Sequence, residues 1–261
     1  MKQTYVKYLM VVALTGGFLF TSCRTARENT AQYEVTKVEG GMITIDSVWD
    51  TTPDVKATEI LKPYKEKVDA MMYEVIGTSA MKMDKGGPES LLSNLVAGVL
   101  QQAAVQVLGK PADMGLVNMG GLRNILPEGD ITVGDIFEIL PFENSLCVLT
   151  MKGTDLRHLF EAIASLHGEG VSGVRLEITK DGKLLNAFIA GKPLKDDQLY
   201  TVATIDYLAD GNGQMDAFLQ AEKRVCPENA TLRGLILDYV RKQTAEGKVI
   251  TSKLDGRITI K

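Results

Sequence analysis

Residues 118–144 decide the fold of this 261-residue chain and read Asn-Met-Gly-Gly-Leu-Arg-Asn-Ile-Leu-Pro-Glu-Gly-Asp-Ile-Thr-Val-Gly-Asp-Ile-Phe-Glu-Ile-Leu-Pro-Phe-Glu-Asn. The paired glycines let the backbone approach a bound group closely, and the guanidinium of Arg123 suits a phosphate. Phe142 follows a rigid proline and precedes Asn144, so an aromatic ring can stack on a planar base while the amide bonds its edge. Either half of the stretch, taken alone, is also typical of a turn or of core packing.

The sequence on both sides of this stretch predicts a mixed α/β domain. Apolar residues recur at three- and four-residue spacing over 54–76 and 90–108, which predicts amphipathic helices that end at Gly77 and Gly109. Shorter apolar segments between turn residues predict strands at 33–49, 114–118, 146–151, 174–178, 184–190 and 200–204. We also expect a strand–helix turn at 131–139 and helices at 154–166 and 231–243. A second aromatic residue before a glycine-rich loop, Tyr207, follows the last of these strands.

The composition excludes several classes of protein. Hydrophobic residues make up 45% and charged residues 24% of the chain, which is typical of a globular protein. The 29 Lys and Arg against 33 Asp and Glu give a net charge of -4, so no nucleic-acid partner is expected. Two histidines and three cysteines are too few for a zinc cluster or a dinuclear hydrolase centre, so no metal site is expected.

The N-terminal residues are typical of an export signal. Lys2 and Lys7 accompany an apolar run, 8–20, that is too short to span a bilayer. The following Leu-Phe-Thr-Ser-Cys23 resembles a bacterial lipobox, which implies cleavage before Cys23 and lipidation of its sulfur. An ordinary signal peptide with an incidental cysteine is the alternative. We therefore expect a signal peptide at 1–22, a polar tether at 23–34, one domain at 35–261, and a lipid-anchored protein of the cell envelope that faces the periplasm or the cell exterior.

The remaining cysteines and the histidines give no distinct chemical signal. Cys147 lies in a predicted strand, where a lone cysteine usually packs as a small hydrophobe. Export also allows a disulfide between Cys147 and Cys226, and the sequence leaves both states open. His158 and His167 lie in or beside one predicted helix and are interpreted as surface residues or as helix histidines with partly satisfied hydrogen bonds.

The three segments, in this order and at this spacing, resemble the C-terminal domain of the 5'-nucleotidase family. Fuller members of that family read Asn-Gly-Gly-Gly-Ile-Arg, then Pro-Phe-Gly-Asn, then Asp-Tyr-Leu before a glycine loop. The resemblance covers residues 52–261, with further matches at 89–95, 127–132, 200–204 and 255–258. It implies one domain with a four-layer α/β/β/α fold that holds the nucleoside. Phe142 and Tyr207 then sandwich the base, Asn144 meets the base edge, and Asn118 and Arg123 hold the ribose–phosphate side.

The departures from the family pattern concern hydrolysis first. Full-length members have a metallophosphatase domain with Asp-x-His, Gly-Asn-His-Glu/Asp and Gly-His-x-His ligands, and none of these motifs occurs in this sequence. The resemblance thus implies a stand-alone C-terminal domain with no catalytic residues and no cofactor of its own. Divalent metals are expected on a separately encoded metallophosphatase partner, and this chain is not expected to hydrolyse phosphate esters alone.

Other departures concern the nucleoside contacts. The family arginine before the Glu-Ser pair is replaced by Gly87-Pro88, which leaves Lys85 as the nearest cation. Gly213 stands where an acidic residue is expected in the last glycine loop, with Asp210 or Asp216 as substitutes. Glu143 replaces a glycine and adds negative charge beside a site meant for an anion.

Two functions follow from this pattern. The chain is interpreted as the substrate-binding domain or subunit of a split, exported 5'-nucleotidase that serves nucleotide catabolism. The alternative is a non-catalytic lipoprotein that binds a nucleoside or nucleotide. The sequence fixes neither the base nor the number of phosphates.

Overall fold

A computed structural model describes residues 35–51 and 54–261, so the expected signal peptide, the Cys23 anchor and the tether lie outside the described residues. Contacts divide the chain into a unit that ends at Asp54 and a unit Val55–Lys261. In the first unit residues 35–49 are exposed, and residues 35–51 contain no strand and one 3-10 helix, Ser47–Thr51. The strands predicted at 33–49 are therefore wrong in the described part, because alternating apolar residues form a strand only where a neighbouring strand pairs with them.

The second unit has the expected mixed α/β class, which confirms the predicted fold. Its helices are α1 Val55–Met72, α2 Leu91–Ala103, α3 Val105–Leu108, α4 Val133–Ile139, α5 Gly153–Ser165, α6 Asp206–Ala209 and α7 Leu232–Ala245. Its strands are β1 Val75–Ser79, β2 Met114–Val117, β3 Gly129–Thr132, β4 Leu146–Lys152, β5 Gly170–Ser172, β6 Val174–Ile178, β7 Leu184–Ile189, β8 Lys192–Pro193, β9 Leu199–Ile205, β10 Lys223–Val225 and β11 Ile258–Ile260. Two further 3-10 helices lie at Met119–Gly121 and Asp216–Gln220.

The strands form three sheets. The largest has the order β10-β4-β9-β2-β5, in which β2 and β9 are parallel and the other pairs are antiparallel. The second has the order β11-β6-β7-β8, and the third pairs β1 with β3. Helix α5 contacts both larger sheets, through β4 and β9 of the first and β7 of the second.

Helix α2 forms the centre of the core because it packs closely on the five-stranded sheet. Ser90 caps its first turn by accepting from the Ser93 amide, as the predicted helix start requires. A Cβ on Gly115 of β2 would lie 2.2 Å from the Ala97 carbonyl oxygen, so only glycine allows this approach of helix and sheet. Gly109 ends the following turn with φ of 69°, as predicted.

The predicted helix over 54–76 is too long. Helix α1 ends at Met72, and residues 75 and 76 belong to β1, which pairs with β3. Gly77 is a strand residue, not a helix cap. A Cβ on Gly77 would lie 2.5 Å from Thr244 Oγ1, so glycine is required by the close packing of α7. Val75 and Ile76 continue the helical spacing by coincidence, and pairing with β3 overrides it.

Candidate functional site

All five strands of the largest sheet present a candidate residue at the same end. The parallel strands β2 and β9 end there, the antiparallel strands β4 and β5 begin there, and β10 ends there. The Asp206 amide after β9 donates to the Ser145 carbonyl before β4 at 2.8 Å, which ties these two loops together. The residues at this end, in sheet order, are Cys226, Asn144, Tyr207, Asn118 and Glu169.

Two aromatic side chains at this end are open to solvent. Phe142 is 50% exposed and Tyr207 is 43% exposed, whereas Phe160 and Phe218 are buried in the core. The two rings lie on neighbouring loops, and exposed aromatic rings offer apolar faces to a ligand at little cost in side-chain entropy. The structure therefore brings the two predicted stacking residues to neighbouring loops and leaves them uncovered.

The Phe142 loop is held by Arg233 of α7, which the sequence reasoning missed. The guanidinium donates to the Leu140 carbonyl at 3.0 Å, forms an ion pair with Glu143 and lies 4.1 Å from the centre of the Phe137 ring. Its side chain is only 11% exposed. The negative charge of Glu143 is thus neutralised by a partner 90 positions along the chain, and it does not stand as an unpaired charge beside the site.

The Tyr207 loop is held by Arg224 and by a disulfide. Arg224 donates to the Asp210 carboxylate at 2.6 Å and to the Ala209 carbonyl at 3.4 Å. Its other contacts are the sulfurs of Cys226 at 3.2 Å and Cys147 at 3.7 Å, which form the disulfide that the sequence left open. Asp210, one of the two acids considered for the last glycine loop, is therefore occupied by an ion pair.

Asn118 lies over the glycine pair of the third loop. The Gly121 amide donates to the Asn118 carbonyl at 3.0 Å, and a Cβ on Gly121 would lie 3.0 Å from Asn118 Oδ1. This Oδ1 atom is buried and has no hydrogen-bond donor among the described residues. A buried acceptor without a donor is costly, so this oxygen is suited to a donor from a ligand.

Two cations lie beside the same loop. The exposed Arg123 guanidinium donates to the Gly120 carbonyl at 3.0 Å, and the Arg123 amide donates to the Ile139 carbonyl at 2.9 Å. The Lys85 ammonium donates to the Leu122 carbonyl. The structure therefore places Lys85, the cation nearest to the missing family arginine, at the loop that carries Arg123.

Glu169 is a further residue of this end that the sequence reasoning missed. Its carboxylate accepts from the Met119 amide, and burial raises the pKa of the Glu169 carboxyl, with the Met119 hydrogen bond opposing that shift. Glu169 also lines a cavity of about 400 Å³ with Met119, His167 and Pro88. Glu169 lies between glycines in a polar stretch of sequence, so its residue type alone does not mark it.

The described residues do not form a metal centre. Within 35–51 and 54–261, no three His, Cys, Asp or Glu side chains are grouped so that they fit a metal ion. Both histidines are exposed, His158 on α5 and His167 just beyond it.

The matches at 89–95 and 255–258 have a structural explanation. The Glu89 carboxylate accepts from the amides of Asp255 and Arg257 and from the side chain of Asn94. Arg257 in turn donates to the carbonyls of Asn94 and Val171. This network fastens the C-terminal coil to α2, and it belongs to the framework of the domain.

Comparison with known proteins places this chain in a family. The family model for the C-terminal domain of 5'-nucleotidase matches residues 75–220, and the chain belongs to that family. It is 34% identical over 169 residues to endonuclease YhcR of Bacillus subtilis, a match that covers 62% of this chain and 13% of that protein. It is 27% identical over 237 residues to cell wall protein Lmo0130 of Listeria monocytogenes, which covers 79% of this chain and 29% of that protein.

A solved structure shows the same relationship. The 5'-nucleotidase precursor of Thermus thermophilus is 27% identical, with a TM-score of 0.67, over 78% of this chain and 43% of that chain. This chain spans less than a third of the two curated relatives and less than half of the solved structure. The shared part is a nucleotidase C-terminal domain, and the activities of the whole relatives concern more than this part.

Proposed function

We propose that this chain is the nucleotide-binding component of a split, exported 5'-nucleotidase. The observation that supports this most is the group of polar and exposed aromatic residues at one end of the five-stranded sheet, in a domain of the 5'-nucleotidase family. The ligand is a nucleoside or nucleotide. Catalysis of phosphate ester hydrolysis falls to a separately encoded metallophosphatase.

The proposed roles follow from the chemistry of each side chain. Phe142 and Tyr207 stack on opposite faces of the base, and each stacked face contributes roughly 1–3 kcal/mol without reading base identity. The Asn144 amide bonds the base edge. Asn118, with its unpaired Oδ1, accepts from a ribose hydroxyl, and Arg123 lies toward the phosphate.

Lys85 is assigned to the phosphate side as well. Its ammonium lies at the Leu122 carbonyl, one residue from Arg123, so two cations flank the same loop. A lysine is a point charge without the planar fork of an arginine, so it attracts phosphate without fixing its orientation. This supports binding of mixed nucleotides in preference to selection of one.

The partner supplies the divalent metals in this proposal. Two metal ions activate a water and clamp the phosphoryl oxygens in metal-assisted hydrolysis, and no described group of this chain fits such a centre. The chain's own contribution is to bind the nucleoside, orient the phosphate toward the partner and neutralise part of its charge.

The cell envelope is the proposed location, with Cys23 as the lipidated residue. The N-terminal signal pattern supports export, and the Listeria relative is named as a cell wall protein. The Cys147–Cys226 disulfide is in keeping with an oxidising compartment.

Isothermal titration calorimetry of AMP, UMP and adenosine into the mature protein tests the binding site. Phe142→Ala and Tyr207→Ala are each expected to weaken binding by about 5- to 150-fold, the equivalent of one lost stacking face. Tyr73→Ala removes an aromatic side chain that is 73% exposed just beyond the end of α1, and this variant is expected to bind as the wild type does. Equal affinity in all four proteins would refute the base sandwich.

A second candidate function is favoured by one observation. Gly213 stands at the acidic position of the family loop, and Asp210, one of its two possible substitutes, is held in an ion pair by Arg224. A non-catalytic nucleoside- or nucleotide-binding lipoprotein would keep the calorimetric binding but give no gain in AMP hydrolysis when a metallophosphatase is added. A gain that is lost in Phe142→Ala identifies the split enzyme.

A further inference from the structure

Helix α1 carries an apolar stripe that its own domain leaves uncovered. Five large side chains on one face are 50–68% exposed, namely Ile60, Leu61, Tyr64, Val68 and Met71. Their spacing of one, three, four and three residues keeps them on one side of a helix with 3.6 residues per turn. None of the 18 residues of α1 is buried, although such a stripe normally faces a core. We call these five residues the α1 stripe.

The size of the α1 stripe marks it as an interaction surface. The exposed apolar area of the five side chains is of the order of 500 Å², which is at the upper end of the largest patch that a soluble monomer leaves uncovered. Leu185 of β7 and Leu254 of the C-terminal coil are also exposed apolar residues, but they lie outside α1. A stable interface needs about 800 Å² from each partner, so the stripe forms the centre of a contact with further residues around it.

The charges beside the α1 stripe indicate the chemistry of the partner. Lys56 and Lys67 are eleven residues apart, or three turns, so they flank the same edge of the stripe. Neither lysine forms an ion pair with a carboxylate in the part of the chain that the structure describes. The lysines at 62 and 65 are paired within the helix, with Glu66 at 3.9 Å and Asp69 at 2.5 Å. A partner that covers the stripe therefore gains from acidic residues at one rim.

We propose that the α1 stripe is the docking surface for the metallophosphatase, an inference that rests on the proposed function. Helix α4 connects the end of α1 to the candidate site. The Val133 amide at the start of α4 donates to the Glu74 carbonyl at 3.0 Å, just past the end of α1. The carbonyl of Ile139 at the other end of α4 accepts from Arg123, and Phe142 follows three residues later. A helix of seven residues, about 10 Å long, thus separates the end of α1 from the phosphate side of the site.

A second copy of this chain fits the stripe less well. If two copies paired their α1 helices antiparallel about a twofold axis, the same edge of each helix would meet, and Lys56 and Lys67 of one copy would oppose those of the other. Repulsion between these facing lysines disfavours the dimer. A partner with apolar and acidic residues does not meet this repulsion.

A lipid surface also fits less well. Helices that lie on membranes present a strongly basic polar face to anionic headgroups. The polar face of α1 includes three acidic residues, Glu59, Glu66 and Asp69, against four lysines. The resulting charge is nearly balanced, which is typical of a helix that binds protein.

The test measures binding of a purified metallophosphatase that lacks this domain and comes from the same genome, by biolayer interferometry on the full mature chain. Leu61→Asp is expected to weaken that binding at least 10-fold. Leu254→Asp is the matched control, because Leu254 is 62% and Leu61 is 61% exposed, and it is expected to bind as the wild type does. Lys67→Glu is expected to weaken binding severalfold and to reduce its salt dependence. AMP affinity of the isolated chain should be equal in all of these proteins.

The possible outcomes separate this inference from the proposed function. If Leu61→Asp and the wild type raise the rate of AMP hydrolysis by the phosphatase equally, the α1 stripe is not the docking surface, while the split enzyme stands. If sedimentation shows a dimer that Leu61→Asp dissociates, a second copy is the occupant and the inference is overturned. Capture by vesicles of phosphatidylcholine and phosphatidylglycerol that Leu61→Asp abolishes would overturn it in favour of a membrane. If the wild type binds no phosphatase, the inference fails, and AMP binding alone decides whether the nucleotide site stands.

Discussion

Reduction of the Cys147–Cys226 disulfide is expected to lower the free energy of unfolding by about 2–4.5 kcal/mol. The two cysteines are 79 residues apart, and the loop-closure entropy removed from the unfolded chain gives an upper value of about 4.5 kcal/mol for a loop of this length. The sulfur of Cys226 is on an exposed residue and Cys147 is buried, so a reductant reaches the bond from the Cys226 side. In a domain of this size the loss corresponds to a fall in Tm of roughly 4–18 °C.

Urea unfolding followed by circular dichroism measures this loss, with and without a phosphine reductant. Cys226→Ser serves as the control, because it lacks the disulfide already and should show the lower midpoint with no further change on reduction. Thiol titration must find two more free thiols in the reduced wild type than in the oxidised one. A protein that gains these two thiols while its stability falls by less than about 1 kcal/mol would refute the loop-entropy argument.

The same reduction is expected to weaken AMP binding. Arg224 contacts both sulfurs and holds Asp210 and the Ala209 carbonyl, so opening the bond releases the support of the Tyr207 turn. Calorimetry of AMP with oxidised and reduced protein, below the unfolding temperature of both, measures the effect. Unchanged AMP affinity together with lower stability would mean that the disulfide stabilises the domain without positioning Tyr207.

Three further predictions concern the Asn118 loop. Gly121→Ala should weaken AMP binding because its Cβ would lie 3.0 Å from Asn118 Oδ1, whereas Gly120→Ala, with its nearest atom at 3.8 Å, should bind normally in the same calorimetric assay. Lys85→Gln should lower the affinity for AMP by about 5- to 10-fold and leave the affinity for adenosine unchanged, because one cation at the phosphate contributes about 1 kcal/mol. An equal loss of affinity for both ligands would contradict the assignment of Lys85 to the phosphate. Burial raises the pKa of the Glu169 carboxyl above 4.5, so the folded state keeps its proton to higher pH than the unfolded chain. Stability should then decline as the pH rises from about 4.5 through the raised pKa, and urea midpoints of Glu169→Gln should lack this decline.

Local sequence signals predicted the elements whose ends are marked by side chains. Ser90 and Thr231 cap α2 and α7, and Gly109 takes the left-handed conformation at a helix end, as the residue types indicate. The spacing of apolar residues gave the wrong secondary structure where tertiary packing decides it. Residues 75–79 pair with β3 although their spacing continues that of α1, and residues 35–49 remain exposed although they alternate like a strand.

The candidate site divides in the same way. Family resemblance proposed Asn118, Arg123, Phe142, Asn144 and Tyr207, because each lies in a short motif beside a predicted strand. The residues that hold their loops, Glu169, Arg224 and Arg233, were missed because their partners are 14 to 93 positions away in the chain. Contacts at such separations exist only once the sheet has brought the loops together.

These supporting contacts change the meaning of the departures from the family pattern. In the sequence, Glu143 adds negative charge beside an anion site. In the structure Arg233 neutralises that charge, and Arg224 neutralises Asp210. Burial raises the pKa of the Glu169 carboxyl, and the hydrogen bond from the Met119 amide opposes that shift. Lys85 and Arg123, in contrast, donate to carbonyl groups and keep their positive charge at the loop. In the proposed site, the pairing of Glu143 and Asp210 therefore removes negative charge that would repel an anion, and Lys85 takes the place of the family arginine.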